Sequence, residues 1–287
     1  MIDGFETHNA QVNGQTITYS TGGTGPALLL LHGFPQTRAM WRHVAPQLAQ
    51  HFTVVAADLR GYGDSSAPEG MENYSFRPMA ADQSALMQHL GHDSFHLVGH
   101  DRGARTAHRL TLDAPDKVNS LTLMDIIPTH SLLNDLNQTV ARAYYHWFFL
   151  AQPAPFPETL IAQDPDSYYQ TALSAWGATP LSAFDPVALA HYRTAWRKPE
   201  VIHATCNDYR AAIDVDFALD AADLGCKITC PALVLYGADG IMGKCYDVGA
   251  EWADRLENMQ SRGLKGGHFF VDEHPEDTVS ALLDFLT

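Results

Sequence analysis

The stretch "FHLVGHDRGARTAHRLTLDA", Phe95 to Ala114, carries an apolar run of strand length through a Gly-x-Asp-x-Gly turn and directly into a helically periodic segment. Gly99 and Gly103 bracket Asp101, so the backbone can bend sharply enough to push the central side chain into the open. Serine is the usual occupant of such a turn. A carboxylate there cannot be a serine-type acyl-transfer nucleophile, but it can attack saturated carbon and form an ester. The plainer alternative is that Asp101 only caps the following helix.

Outward from this turn, other short apolar runs repeat the strand pattern. "ALLLLHG" (27–33), "FTVVAADLRG" (52–61), "VNSLTLMDI" (118–126) and "PALVLYGADG" (231–240) read as buried strands rich in Leu and Val. Between strands, "MAADQSALMQHLG" (79–91) and "RGARTAHRLTLDA" (102–114) have helical periodicity. Strand and helix in alternation predict an α/β fold, a mostly parallel doubly wound sheet. From Pro128 to Val215 the pattern breaks into Tyr-, Trp-, Phe- and Pro-rich helical segments, read as an inserted helical cap. The expected division is a sheet domain over 1–127, the cap over 128–215, and the rest of the sheet domain over 216–287.

The 287 residues suffice for one large core, and a hydrophobic fraction of 46% describes a globular chain. Eighteen Lys and Arg against 33 Asp and Glu leave a net charge of −15, which repels nucleic acid and anionic membrane. No apolar stretch reaches membrane-spanning length, and "MIDGFETHNAQVNGQT" has no basic start before an apolar run. A cytoplasmic protein is expected, and Cys206, Cys226, Cys230 and Cys245 are expected as free thiols. Neither a phosphate-cradling loop nor a metal-ligand cluster is visible, so no cofactor or metal is expected.

In an open α/β sheet the reactive groups gather beyond the carboxyl ends of the strands. "HGFP" ends the first apolar strand, where the Phe34 N–H and the N–H of Arg102 are placed to hold one oxygen of Asp101. His268, behind two glycines after a strand, is a better general base than His274 in the polar run "DEHPED". Asp125 and Asp239 both end strands and either could orient that histidine. Asp125 is preferred, because Asp239 between Ala238 and Gly240 has the character of a turn residue. Arg102 and Arg105 share one face at a helix N-terminus, where two guanidinium forks suit a small carboxylate.

"HGFPQT", "DLRGYGDSS", "GHDRGAR", "MDIIPT", "YYHWFF" and "GGHFF", in this order, resemble the fluoroacetate dehalogenases of the α/β-hydrolase fold over nearly the whole chain. The resemblance implies a nucleophile at Asp101, a base at His268, an acid at Asp125 and carboxylate binding by Arg102 and Arg105. It further implies a halide pocket of His146, Trp147 and Tyr209, Trp176 near the substrate, and a homodimer. "GADGIMGKCYD" (237–247) departs from the family pattern. The expected partner is a small anionic haloacetate, which Asp101 alkylation and water would convert to glycolate and halide. Two alternatives stand beside this: an epoxide hydrolase using the same three residues with Tyr144, Tyr145 or Tyr209 as proton donors, and a non-catalytic receptor for a small acid.

Overall fold

The computed structural model describes residues 1–175 and 179–287. One sheet of eight strands forms its centre: β1 (Glu6–Val12), β2 (Gln15–Gly22), β3 (Ala27–Leu31), β4 (Thr53–Ala57), β5 (Phe95–His100), β6 (Val118–Met124), β7 (Ala232–Gly237) and β8 (Met259–Leu264). Their order across the sheet is β1-β2-β4-β3-β5-β6-β7-β8. From β4 to β8 neighbouring strands are parallel, while β1 with β2 and β2 with β4 are antiparallel. Every residue of β3 is buried, as an "ALLLL" strand without alternation must be when both sheet faces are covered.

The strands read from apolar runs are present, ending one to four residues earlier at their carboxyl ends. Three further strands, β1, β2 and β8, were not among them. β1 and β8 are the edge strands and leave most of their residues exposed, so their sequences "ETHNAQV" and "MQSRGL" carry little apolar signal, while β2, between β1 and β4, is interrupted by the polar residues of "QTITYSTG". β1 and β2 form a hairpin across Asn13 and Gly14, both at positive φ (49° and 73°), the backbone twist that a two-residue hairpin turn requires.

After β6 the chain leaves the sheet and returns to it at β7, and among the described residues between them there is no strand. The helices Tyr145–Leu150, Pro186–Trp196 and Pro199–Ala211 lie in this insertion, the last running into a π turn over Ala212–Asp216. Polar contacts fasten the insertion to the sheet domain. Asp64 pairs with His191 at 3.1 Å, Asp185 with Arg42 at 3.1 Å, and the Ser75 hydroxyl donates to Asp216 at 2.6 Å.

Candidate active site

β5 ends at His100, and the helix Arg102–Asp113 begins after a single intervening residue, so the whole turn is made at Asp101. Its backbone sits at φ 49° and ψ −114°, a strained region for a residue with a Cβ. Helix and strand are pressed together around it. A Cβ on Gly99 would meet the Gly103 carbonyl oxygen at 2.4 Å, and one on Gly103 would meet the His32 oxygen at the same distance. Close approach, as much as backbone freedom, is why both positions are glycine.

The Asp101 side chain makes no capping bond to its helix. Its Oδ1 instead accepts from the Phe34 N–H at 2.9 Å, across from the end of β3. Oδ2 faces His268, 3.9 Å from Nε2. On the other side of that ring, Nδ1 lies 2.6 Å from Asp125 Oδ2, and Asp125 Oδ1 accepts from the Gly237 N–H at 2.8 Å. Asp125 also adopts a positive φ, 53°, just beyond β6. Asp239, the other acid considered, is exposed, and among the described residues its side chain accepts only from the Gly266 N–H, at 3.1 Å. Arg102, whose N–H is the second donor expected, opens the helix, where first-turn N–H groups have no acceptor within the helix.

All three groups are buried, and their charges settle against one another. Burial opposes ionisation of Asp101, but His268, Arg102, His100 and the Phe34 N–H together outweigh it, so its carboxyl lies below the ordinary range. Burial likewise disfavours a charged His268. The hydrogen bond and charge of Asp125, with the charge of Asp101, more than compensate and raise its pKa. A carboxylate with one oxygen held and the other open, beside a base oriented by an acid, is equipped for attack on carbon followed by hydrolysis.

Arg102 and Arg105 are both buried, and they differ sharply in their partners. Arg102 Nε donates to Asp208 Oδ2 at 2.9 Å, and its Nη2 bonds both the Asp208 carboxylate and, at 3.0 Å, its carbonyl. Arg105 Nη1 donates to the neutral Ile127 carbonyl at 3.1 Å and the Thr129 hydroxyl at 2.8 Å. Among the described residues Arg105 makes no ion pair. Burial accordingly lowers its pKa to about 10, with Arg102 pushing the same way.

His146, Trp147 and Tyr209 are also buried and meet edge to face. The Tyr209 ring centroid lies 5.4 Å from that of His146 and 5.3 Å from that of Trp147. Both arginines stack on Trp147, with guanidinium carbons 5.1 and 4.9 Å from its ring. Among the described residues, the Trp147 Nε1 and the Tyr209 hydroxyl find no hydrogen-bond partner although both atoms are buried. Burial holds His146 well below the usual histidine range, so it is a neutral imidazole. Trp176 lies outside the described residues. Asp208 and Thr129, which anchor the two arginines, escaped the sequence reading because nothing local distinguishes them.

The chain is similar to known proteins over its whole length. Residues 26–275 match the family model described as the alpha/beta hydrolase fold. A fluoroacetate dehalogenase from Burkholderia sp is 54% identical over all of this chain and 95% of its own length. A soluble epoxide hydrolase from Corynebacterium sp. (strain C12) is 33% identical over 97% of this chain and 96% of its own. The crystal structure of a Nostoc sp PCC 7120 protein superposes with a TM-score of 0.98 at 50% identity, covering 100% of this chain and 99% of that one. With the aspartate elbow, the full-length match and the shared sheet in agreement, the chain belongs to the α/β-hydrolase fold and, within it, to the fluoroacetate dehalogenase family.

Proposed function

We propose that the chain is a hydrolase of carbon–halogen bonds that converts haloacetates, fluoroacetate among them, to glycolate and halide. The observation that carries this reading is Arg105. A buried cation whose partners are neutral oxygens is costly unless an anion completes the site. A substrate carboxylate would do so, and it would bring a halogenated α-carbon within reach of the open Asp101 Oδ2. The Trp147 N–H, the Tyr209 O–H and a neutral His146 N–H are donors suited to a departing halide. They serve it best where negative charge develops. Helical residues 128–215 would then form the lid half of the site, carrying the halide pocket, and residues 1–127 and 216–287 the half that carries nucleophile and base.

Two steps balance the reaction. Asp101 Oδ2 forms a bond to the α-carbon as the carbon–halogen bond breaks, leaving an aspartyl ester and a halide ion. Water then attacks the ester carbonyl while His268 takes its proton, and the oxyanion draws on the N–H groups of Phe34 and Arg102. Collapse expels glycolate, whose alkoxide recovers the proton from His268. The Asp101 carboxyl, held below its ordinary pKa, sheds the remaining proton.

An epoxide would use the same aspartate, histidine and acid but has no carboxylate for Arg105, and the more distant identity of the epoxide hydrolase agrees. A receptor that only bound the acid would need neither base nor orienting acid. Fluoride and chloride release from fluoroacetate and chloroacetate, measured beside diol formation from an epoxide, distinguishes these readings. Halide release by the parent, with Arg105→Leu weakened by about 2–5 kcal/mol in kcat/KM, is the expected result. Diol formation without halide release would overturn it, as would an Arg105→Leu variant as active as the parent.

We infer further that the chain acts as a homodimer in the cytoplasm. Tyr145, Phe148, Phe156 and Leu160 expose apolar surface on the insertion, and the described cysteines are free thiols, as a reducing compartment favours. Light scattering at micromolar concentration would show twice the chain mass of 31.6 kDa.

A further inference from the structure

Arg102 cannot serve the substrate in the way Arg105 does. Three of its hydrogen bonds go to Asp208, a residue of the insertion more than a hundred positions away in sequence, and both side chains are fully buried. The Tyr62 hydroxyl, from the sheet domain, donates to the same Asp208 Oδ2 at 2.6 Å. Arg102 Nη1 is the exception: it is buried, and among the described residues it has no partner. The guanidinium is also clamped between rings, its carbon 4.6 Å from the Phe76 centroid and 4.4 Å from that of Tyr209. It can neither rotate nor turn another nitrogen toward a ligand.

The charges sort in the same way. Asp208 cancels Arg102, which leaves Arg105 as the guanidinium without a carboxylate. Asp208 is also the residue before Tyr209 on the helix Pro199–Ala211, so the backbone that fixes the arginine also fixes the phenol. We propose that Asp208, braced by Tyr62, is a positioning residue for the substrate carboxylate: it leaves Arg102 one directed donor, Nη1, and leaves Arg105 as the net cation of the site. A single net cation recognises a monocarboxylate, and a single directed donor fixes its rotation so that the α-carbon lies in line with Asp101 Oδ2. This rests on the haloacetate reading for the identity of the ligand.

Removing the Asp208 charge should therefore have two effects of opposite sign. Asp208→Asn keeps the size and one acceptor but uncovers a second cation, so a small carboxylate binds more tightly and less well aligned. The test is titration of parent and variant with acetate by calorimetry, together with kcat and KM for fluoroacetate and chloroacetate. Acetate affinity should rise several-fold and KM should fall, while kcat drops by as much as about a hundredfold from misalignment. Tyr62→Phe keeps the charge and removes only the hydroxyl donor to Oδ2, which still accepts from Arg102 Nε, so acetate affinity should hold while kcat falls by a smaller factor. A residue that merely supported the fold would lower kcat in the Asn variant without tightening acetate, and that result overturns the proposal. An unchanged kcat in Tyr62→Phe overturns the bracing role, and this variant carries the test alone if Asp208→Asn does not fold. Acetate titration reads the effect of Asp208 even if the parent releases no halide, so failure of the functional reading remains separate from failure of this one.

Discussion

His268 answers two opposite requirements, and its neighbours explain how. In the free enzyme two carboxylates, Asp125 and Asp101, overcome burial and favour the protonated ring. A general base must be neutral when water attacks. In the proposed mechanism, esterification of Asp101 would remove one of those two negative charges while the opposing charge of Arg105 remains, so the first step would itself lower the pKa of the base needed in the second. Asp101→Asn imitates that loss of charge. Titration of the His268 ring by NMR should give a pKa above the ordinary histidine value of about 6.5 in the parent and a lower one in the variant. An unchanged value would mean that Asp101 does not influence the base. The complementary variant, His268→Asn, leaves the nucleophile intact and removes only the hydrolytic half. Mass spectrometry after incubation with a haloacetate should find one carboxymethyl group on the peptide containing Asp101, and normal turnover or an adduct elsewhere would contradict the assigned roles.

Among the elements, the short helix Tyr145–Leu150 carries two residues of the proposed halide pocket. It places His146 and Trp147 inward while Tyr145 and Phe148, three residues apart and so on one face, look to solvent. Fluoride is small and a poor leaving group, so it depends on fixed donors more than heavier halides do. Trp147→Phe keeps the ring under Arg102 and Arg105 but removes the indole N–H, and it should depress defluorination far more than dechlorination on the same preparation. An equal fall would mean that Trp147 shapes the pocket without selecting the halide. Legibility also divides by element. β3, β5, β6 and β7 were readable because two covered faces demand continuous apolar runs, whereas β1, β2 and β8 flank them at the sheet's margins with polar residues. Asp101, Asp125 and His268, which the structure brings together, were legible as candidates because Asp101 and Asp125 directly follow strands and His268 follows β8 behind two glycines. Asp208 could not: it lies mid-helix on the insertion, and its partner Arg102 is distant in sequence, so no local spacing announces the pair.

At the scale of the whole molecule, buried titratable groups determine how stability varies with pH. His32, His100, His108 and His146 have pKa values lowered by burial, so they stay neutral in the folded chain while the unfolded chain takes up protons below about pH 6.5. They therefore cost stability as pH falls through that range. The alkaline side belongs to other groups. Burial raises Asp216 to about 7, and the folded chain keeps a proton there that the unfolded chain has already lost, so stability declines as pH rises through 7. His268, raised above its ordinary value, contributes stability below about pH 6.5 that is lost as pH climbs through its folded pKa. Both slopes have the same sign, and Asp216 binds Ser75 and Phe76 where the insertion meets the sheet domain, so the loss falls on that seam. Thermal unfolding should show a maximum near pH 6.5 and a fall of about 2–4 °C toward pH 8, from the roughly 1 kcal/mol that Asp216 contributes over that interval. Asp216→Asn retains an acceptor for the Ser75 hydroxyl and the Phe76 N–H but cannot ionise, so its alkaline limb should be shallower than that of the parent, leaving the part due to His268 and to Asp272, which burial also raises to about 7. Identical slopes in the two proteins, or a parent that gains stability between pH 6.5 and 8, would show that Asp216 is ionised in the folded chain across this range.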